Sequence, residues 1–176
     1  MTVDGLTHWV SAIIEKRPQF FLRFSGVEDK ILRERLAASS TEAPIYVTGL
    51  GRAGSTLLLE ILNSHSSTFS HQYRDYPALF TPYAWNRVLD FSPQKQLKLK
   101  ERAHQDRIYI NPESPESMEE ILWAYFFPRS HAPRCSNILD ETVQNEAFEE
   151  FYRKHIQKMQ IIRQGQRYLA KNNYNV

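Results

Sequence analysis

The chain has 176 residues and a net charge of +2, which fits one domain with its own core. With no long basic stripe, that balance argues against a nucleic-acid surface. A single cysteine, Cys135, excludes an internal disulfide and a cysteine-rich zinc site. No apolar run approaches signal-peptide or transmembrane character, so the expectation is a soluble protein of a reducing compartment, the cytoplasm.

Residues 1–17 read as an amphipathic helix, with Leu6, Trp9, Val10, Ile13 and Ile14 at helical spacing, closed by Pro18. Its polar face carries little positive charge and Glu15 opposes a membrane role, so packing on the domain is its expected use. A second helix is expected from Ser25, with Glu28 at capping-box spacing and Val27, Ile31, Leu32 and Leu36 on one apolar face. Residues 37–44 are a polar connector. The predicted organisation is a helical extension over residues 1–43 packed on an α/β domain over residues 44–176.

Residues 45–57 carry the strongest signal. The β-type run Ile45-Tyr46-Val47 flows into Gly49, Gly51 and Gly54, and a helical run follows over residues 57–62. Strand, glycine loop and helix make a phosphate cradle, in which backbone N–H groups and the helix N-terminus attract an anion. Thr48 stands beside it, and Ser55 and Thr56 add hydroxyl donors. The spacing approaches the pattern G-x-x-x-x-G-K-[ST], but Ser55 occupies the lysine position. The loop's one cation is Arg52.

Further along, residues 67–73 are β-prone, and Arg74-Asp75-Tyr76-Pro77 makes a turn. Thr81 and Pro82 are an N-cap and N1 pair for a helix burying Tyr83, Trp85, Val88 and Leu89. Residues 95–107 are locally basic, with Lys95, Lys98, Lys100, Arg102, Arg107 and His104, as a solvated face or an anion-attracting one. Ser114-Pro115-Glu116 is the expected start of a helix running to Phe127, with Ile121, Leu122, Tyr125 and Phe126 in the core. A loop over residues 128–137 follows. Then a helix over residues 145–164 presents Phe148, Phe151, Tyr152, Ile156, Met159 and Ile162 as its buried stripe, with Gly165 as its C-terminal cap. Residues 167–170 read as a strand. Strands between helices point to an α/β sheet with parallel pairing, and the cradle then sits at the carboxyl end of its strand, where such sheets bind ligands.

The loop form G-x-x-R-x-G-S-T-x-L, carried by Gly49, Arg52, Gly54, Ser55, Thr56 and Leu58, resembles the 5′-phosphosulfate-binding loop of the sulfotransferase family. The last strand, Tyr168-Leu169-Ala170-Lys171-Asn172-Asn173, resembles the family strand that ends in a lysine beside the transferring group. Arg74-Asp75-Tyr76-Pro77 and the helix from Pro82 are similar to bacterial members, and the resemblance spans residues 44–176. It implies a P-loop-like three-layer α/β fold, with a central parallel sheet flanked by helices. It also implies sulfuryl transfer from 3′-phosphoadenosine 5′-phosphosulfate (PAPS) to an acceptor hydroxyl or amine, without a metal.

On that resemblance Gly49, Gly51, Arg52, Ala53, Gly54, Ser55, Thr56 and Leu57 hold the donor. Arg52 also neutralises leaving-group charge, and Lys171 reaches the bridging oxygen. Asp75 is the carboxylate best placed by order to be the base; the competing reading pairs it with a cation in a structural turn. His104 is a second candidate, with His71 and Glu141 behind it. Two features depart from the family. Asn173 stands where cytosolic members place a histidine base, and the later Arg and Ser that hold the donor's 3′-phosphate fall beyond Val176. The expectation is therefore an N-terminal fragment, truncated at its C-terminus, with impaired donor binding and turnover. Two rivals stay open: a P-loop kinase or NTPase using Arg52 in place of lysine, and a non-catalytic truncated domain. Carbohydrate, lipid and small-molecule acceptors all remain open, with Tyr73, Tyr76, Tyr83 and Trp85 as pocket candidates or core. Oligomeric state is open too.

Overall fold

Three parallel strands flanked by helices organise the chain. The computed structural model describes residues 13–14, 17–50, 53–91, 100–101, 109–116, 118–129, 139 and 142–172. In order these give α1 (Pro18–Ile31), α2 (Arg33–Ala38), β1 (Glu42–Val47), α3 (Ser55–Asn63) and β2 (Thr68–Ser70). A 3₁₀ turn (Tyr73–Asp75) leads to α4 (Pro82–Phe91), β3 (Lys100–Glu101), β4 (Tyr109–Ile110), α5 (Glu120–Phe126), α6 (Glu146–Arg163) and β5 (Arg167–Lys171).

The sheet order is β1-β5-β2, so the last strand lies between the first two and is parallel to both. β1 is an edge strand with a register irregularity between Glu42 and Ile45. Pro44 falls there, where a residue without an N–H interrupts a ladder least. Side chains alternate across β5. Lys171 reaches toward α3 through Thr56, while Tyr168 reaches Glu119 beside α5. β3 and β4 form a separate antiparallel pair.

Between the sheet and α6, a core of Phe69, Phe148, Tyr152, Ile156, Met159, Tyr168 and Ala170 is closed by Trp123, Phe126 and Phe127. A second cluster joins Ile14 to Ala78, Leu79, Phe80, Met118 and Leu122. The expected stripe of α6 is thus buried at Phe148, Tyr152, Ile156 and Met159. Asn145 caps this helix by accepting the Phe148 N–H at 3.0 Å.

Several expectations are overridden. The second helix starts at Pro18 rather than at Ser25, as proline's preset φ and missing N–H suit the first helical position, and Arg17 before it is non-helical at φ −141°. Ser25 and Glu28 lie inside α1 and form no cap. They are buried because Lys158, itself buried in α6, binds Ser25 Oγ at 2.8 Å, Glu28 at 3.1 Å and Asp29 at 2.7 Å. The expected apolar face of this segment splits: Leu32 and Leu36 are buried, whereas Val27 and Ile31 are exposed. Val88 and Ile121 are exposed as well.

Residues 114–116 are not helical: Ser114 is a bend whose N–H donates to the Asn111 carbonyl at 3.1 Å. Pro115 bridges Gln72, and the Glu116 N–H donates to the His71 carbonyl at 3.0 Å. The left-handed residue ending α6 is Gln164, at φ 62°, not Gly165. Gly165 answers to a steric limit instead, since a Cβ there would lie 2.6 Å from Phe69 Cδ1. No helix among the described residues is long and apolar enough to cross a membrane.

Candidate functional site

β1 ends at Val47, and the chain leaves through Thr48 and Gly49 to Leu50, whose carbonyl accepts the Ala53 N–H at 3.1 Å. Gly54 then adopts φ 81°, the left-handed region that glycine enters without a Cβ penalty. That turn lets α3 begin at Ser55. The Leu58 N–H donates to the Gly54 carbonyl at 3.1 Å. The amides of Ser55, Thr56 and Leu57 precede that bond, at the positive end of the helix. Ala53, Gly54 and Leu57 are exposed, Gly49 and Ser55 are half-buried, and Thr56 is buried.

The parallel register sets Val47 against Lys171, and the Asn172 N–H extends the pairing to the Val47 carbonyl at 3.1 Å. Lys171 Nζ donates to Thr56 Oγ1 at 3.0 Å. A cation, a hydroxyl and a helix N-terminus therefore meet at the start of α3, with Lys171 and Thr56 both buried. That combination suits an anion. Gly51, Arg52 and His104 lie outside the described residues, as do Glu141 and Asn173.

Asp75 sits in a different environment. Its carboxylate is completely buried and accepts four hydrogen bonds. Oδ1 takes Asn86 Nδ2 at 2.8 Å and Arg163 Nη2 at 2.5 Å. Oδ2 takes the Gln72 N–H at 2.8 Å and His71 Nδ1 at 3.3 Å. Burial alone would raise its pKa, but the His71 hydrogen bond and charge, Arg163 and Asn86 outweigh it and hold the group well below the usual carboxylate range. A sealed carboxylate that resists protonation is poorly suited to take a proton from an acceptor. This geometry favours the ion-paired turn over the base, with Arg163 as the cation.

The Asp75 neighbour His71 leads on to further buried polar groups that local spacing does not disclose. His71 Nε2 lies 2.9 Å from His155 Nε2, so one of the two rings carries the bridging proton. Burial, with the His71 charge next, holds His155 well below the ordinary imidazole value. Glu119, also buried, accepts the hydroxyls of Tyr152 at 2.6 Å and Tyr168 at 2.7 Å through Oε1. Tyr152 is in turn 2.9 Å from the Tyr46 hydroxyl, and burial pushes Tyr46 up to about 12. The proposed pocket aromatics are engaged too. Tyr73, Tyr76 and Trp85 pack on the second core cluster, and Trp85 Nε1 donates to the Arg74 carbonyl at 2.8 Å.

Burial raises the Glu119 pKa against the pull of the two tyrosine hydroxyls. A raised carboxyl contributes its stability below the unfolded value, and that contribution is lost as pH rises toward the folded value. Glu119→Gln imitates the protonated side chain. The variant is expected to match the parent in Tm near pH 5 and to gain on it toward pH 8, by up to about 1.4 kcal/mol per pH unit. Melting curves across that range check this; a constant offset would mean that Glu119 does not titrate differently in the folded chain. His155 titrates in both proteins and cancels from the comparison.

A recess of about 220 Å³ opens between α5 and the start of α6, lined by Trp123, Phe127, Val143 and Phe148. Among the described residues no His, Cys, Asp and Glu group suits a metal ion. No family model, curated protein or solved structure matches this chain.

Proposed function

We propose that this chain carries the donor site of a sulfotransferase that moves a sulfuryl group from PAPS to a hydroxyl or amine. The observation that supports this most is the 3.0 Å bond from Lys171 to Thr56. It joins the two segments with the sulfotransferase-like pattern, which are far apart in sequence and adjacent in space. The glycine loop at the carboxyl end of a parallel strand fits a P-loop-like arrangement.

In this reading Ser55, Thr56 and the first-turn amides bind the 5′-phosphate, and Lys171 carries charge that builds on the bridging oxygen. Arg52 is assigned the same phosphate on the sequence pattern. The acceptor oxygen or nitrogen bonds to sulfur as the sulfur–oxygen bond to the phosphate breaks in line. The electron pair leaves on the phosphate, and the acceptor's proton passes to a base, as in phosphoryl transfer. Asp75 is not assigned that role. The expected location is the cytoplasm.

Melting the chain with adenosine 3′,5′-bisphosphate, with Mg-ATP as control, tests the reading. A ligand at about a hundred times its Kd stabilises by roughly 2.7 kcal/mol. A rise in Tm with the bisphosphate alone is expected. A rise with Mg-ATP alone would favour a nucleotide kinase or NTPase, and no rise with either would count against a donor site in this chain.

A further inference from the structure

One face of α1 has no partner among the described residues, and its chemistry is specific. Phe20, Phe24, Val27 and Ile31 follow i, i+4, i+7 and i+11 spacing, so they form one stripe. They are 60%, 45%, 45% and 74% exposed. One flank of the helix, through Ser25 and Glu28, faces inward to Lys158. Both acidic residues of α1 are drawn to that lysine, as Asp29 also pairs with Lys158 and Lys154. What α1 presents to solvent beside the stripe is basic. At ~100° per residue, Arg23 and Lys30 fall together along one flank of it, and both are exposed. Arg17 and Arg33, just outside the two ends of the helix, are exposed too.

We propose that α1 docks this stripe onto an anionic lipid surface, lying in the plane of the interface. An apolar face bordered by cations is the pattern of an interfacial helix, and α1 is not one of the helices that could span a bilayer. The charge argues for lipid over a second copy paired antiparallel, because that isologous pairing brings the two Arg23 and Lys30 flanks together. So does the area. Given ~150–250 Å² for each aromatic side chain, the stripe offers on the order of 400 Å², about half of what each partner of a stable dimer buries. Inserted side chains and surface-bound Arg and Lys act together, each cation near an anionic leaflet strengthening binding about fivefold.

Co-sedimentation of the full chain with phosphatidylcholine vesicles, with and without phosphatidylserine, tests this. The chain is expected to sediment with the phosphatidylserine vesicles, less at raised salt, and weakly with phosphatidylcholine alone. Phe24→Ser with Ile31→Ser is expected to lower affinity at least tenfold, and Arg23→Gln with Lys30→Gln about 25-fold. All four positions are exposed, so folding should survive. The melting shift with bisphosphate, read on the same variants, is expected to match the parent and keeps the donor site separate from the lipid surface. Absence of sedimentation would overturn the proposal, as would binding unchanged in either variant. So would a stripe-dependent dimer by sedimentation equilibrium without vesicle binding, which would assign the face to a second copy.

Discussion

Asp75→Ala is expected to destabilise the protein by about 3–5 kcal/mol, the usual cost of removing one member of a buried ion pair. For a chain of this size that is a fall in Tm of roughly 6–20 °C. The carboxylate organises four donors on three elements: Arg163 in the last turn of α6, Asn86 in α4, and His71 and the Gln72 N–H after β2. Alanine leaves them without that acceptor, in a place water does not reach. Asp75→Asn keeps the shape and one oxygen but not the charge facing Arg163, so its loss should be smaller.

The pH dependence carries a sign. A carboxyl held below its ordinary value, 3.8, contributes stability at pH above that value and loses it as pH falls toward the folded value. The gap between parent and Asp75→Ala should therefore be full at pH 7 and narrow in acid. Denaturant unfolding at both pH values measures it. A variant with the parent's stability and impaired transfer would reverse the assignment and restore Asp75 as a candidate base.

Lys171→Met is expected to weaken bisphosphate binding roughly ten- to a hundredfold, as a charge-assisted hydrogen bond to phosphate is worth about 1.5–3 kcal/mol. Methionine fills most of the same volume, so the cost to folding is set chiefly by the lost charge-assisted bond to Thr56, about 1.5–3 kcal/mol. Titration calorimetry and melting curves on the same samples separate the two effects. If affinity holds while Lys171 is gone, the end of β5 is not part of the anion site, and the proposed donor site loses its main support.

The glycine loop, α4 and α6 could be read from local pattern because their determinants are local. Gly54 is needed for a positive φ, Pro82 for a helix start, and Asn145 for a cap. The apolar spacing of α6 survives because its stripe faces the sheet directly. What local pattern could not give was the partner of each polar group. Ser25 and Glu28 have the spacing of a cap, yet Lys158, more than a hundred residues away, draws both into the middle of a helix. Asp75 looks like an available carboxylate until Arg163, Asn86 and His71 close around it. Glu119 falls inside the helix expected from Ser114, yet folding sets it just before α5 and buries it under Tyr152 and Tyr168. The meeting of Lys171 with Thr56 depends on β5 inserting between β1 and β2. Spacing along the chain encodes dihedral preferences and one-sided burial. Burial of charge is decided by which distant groups arrive to satisfy it, and that belongs to the packed chain as a whole.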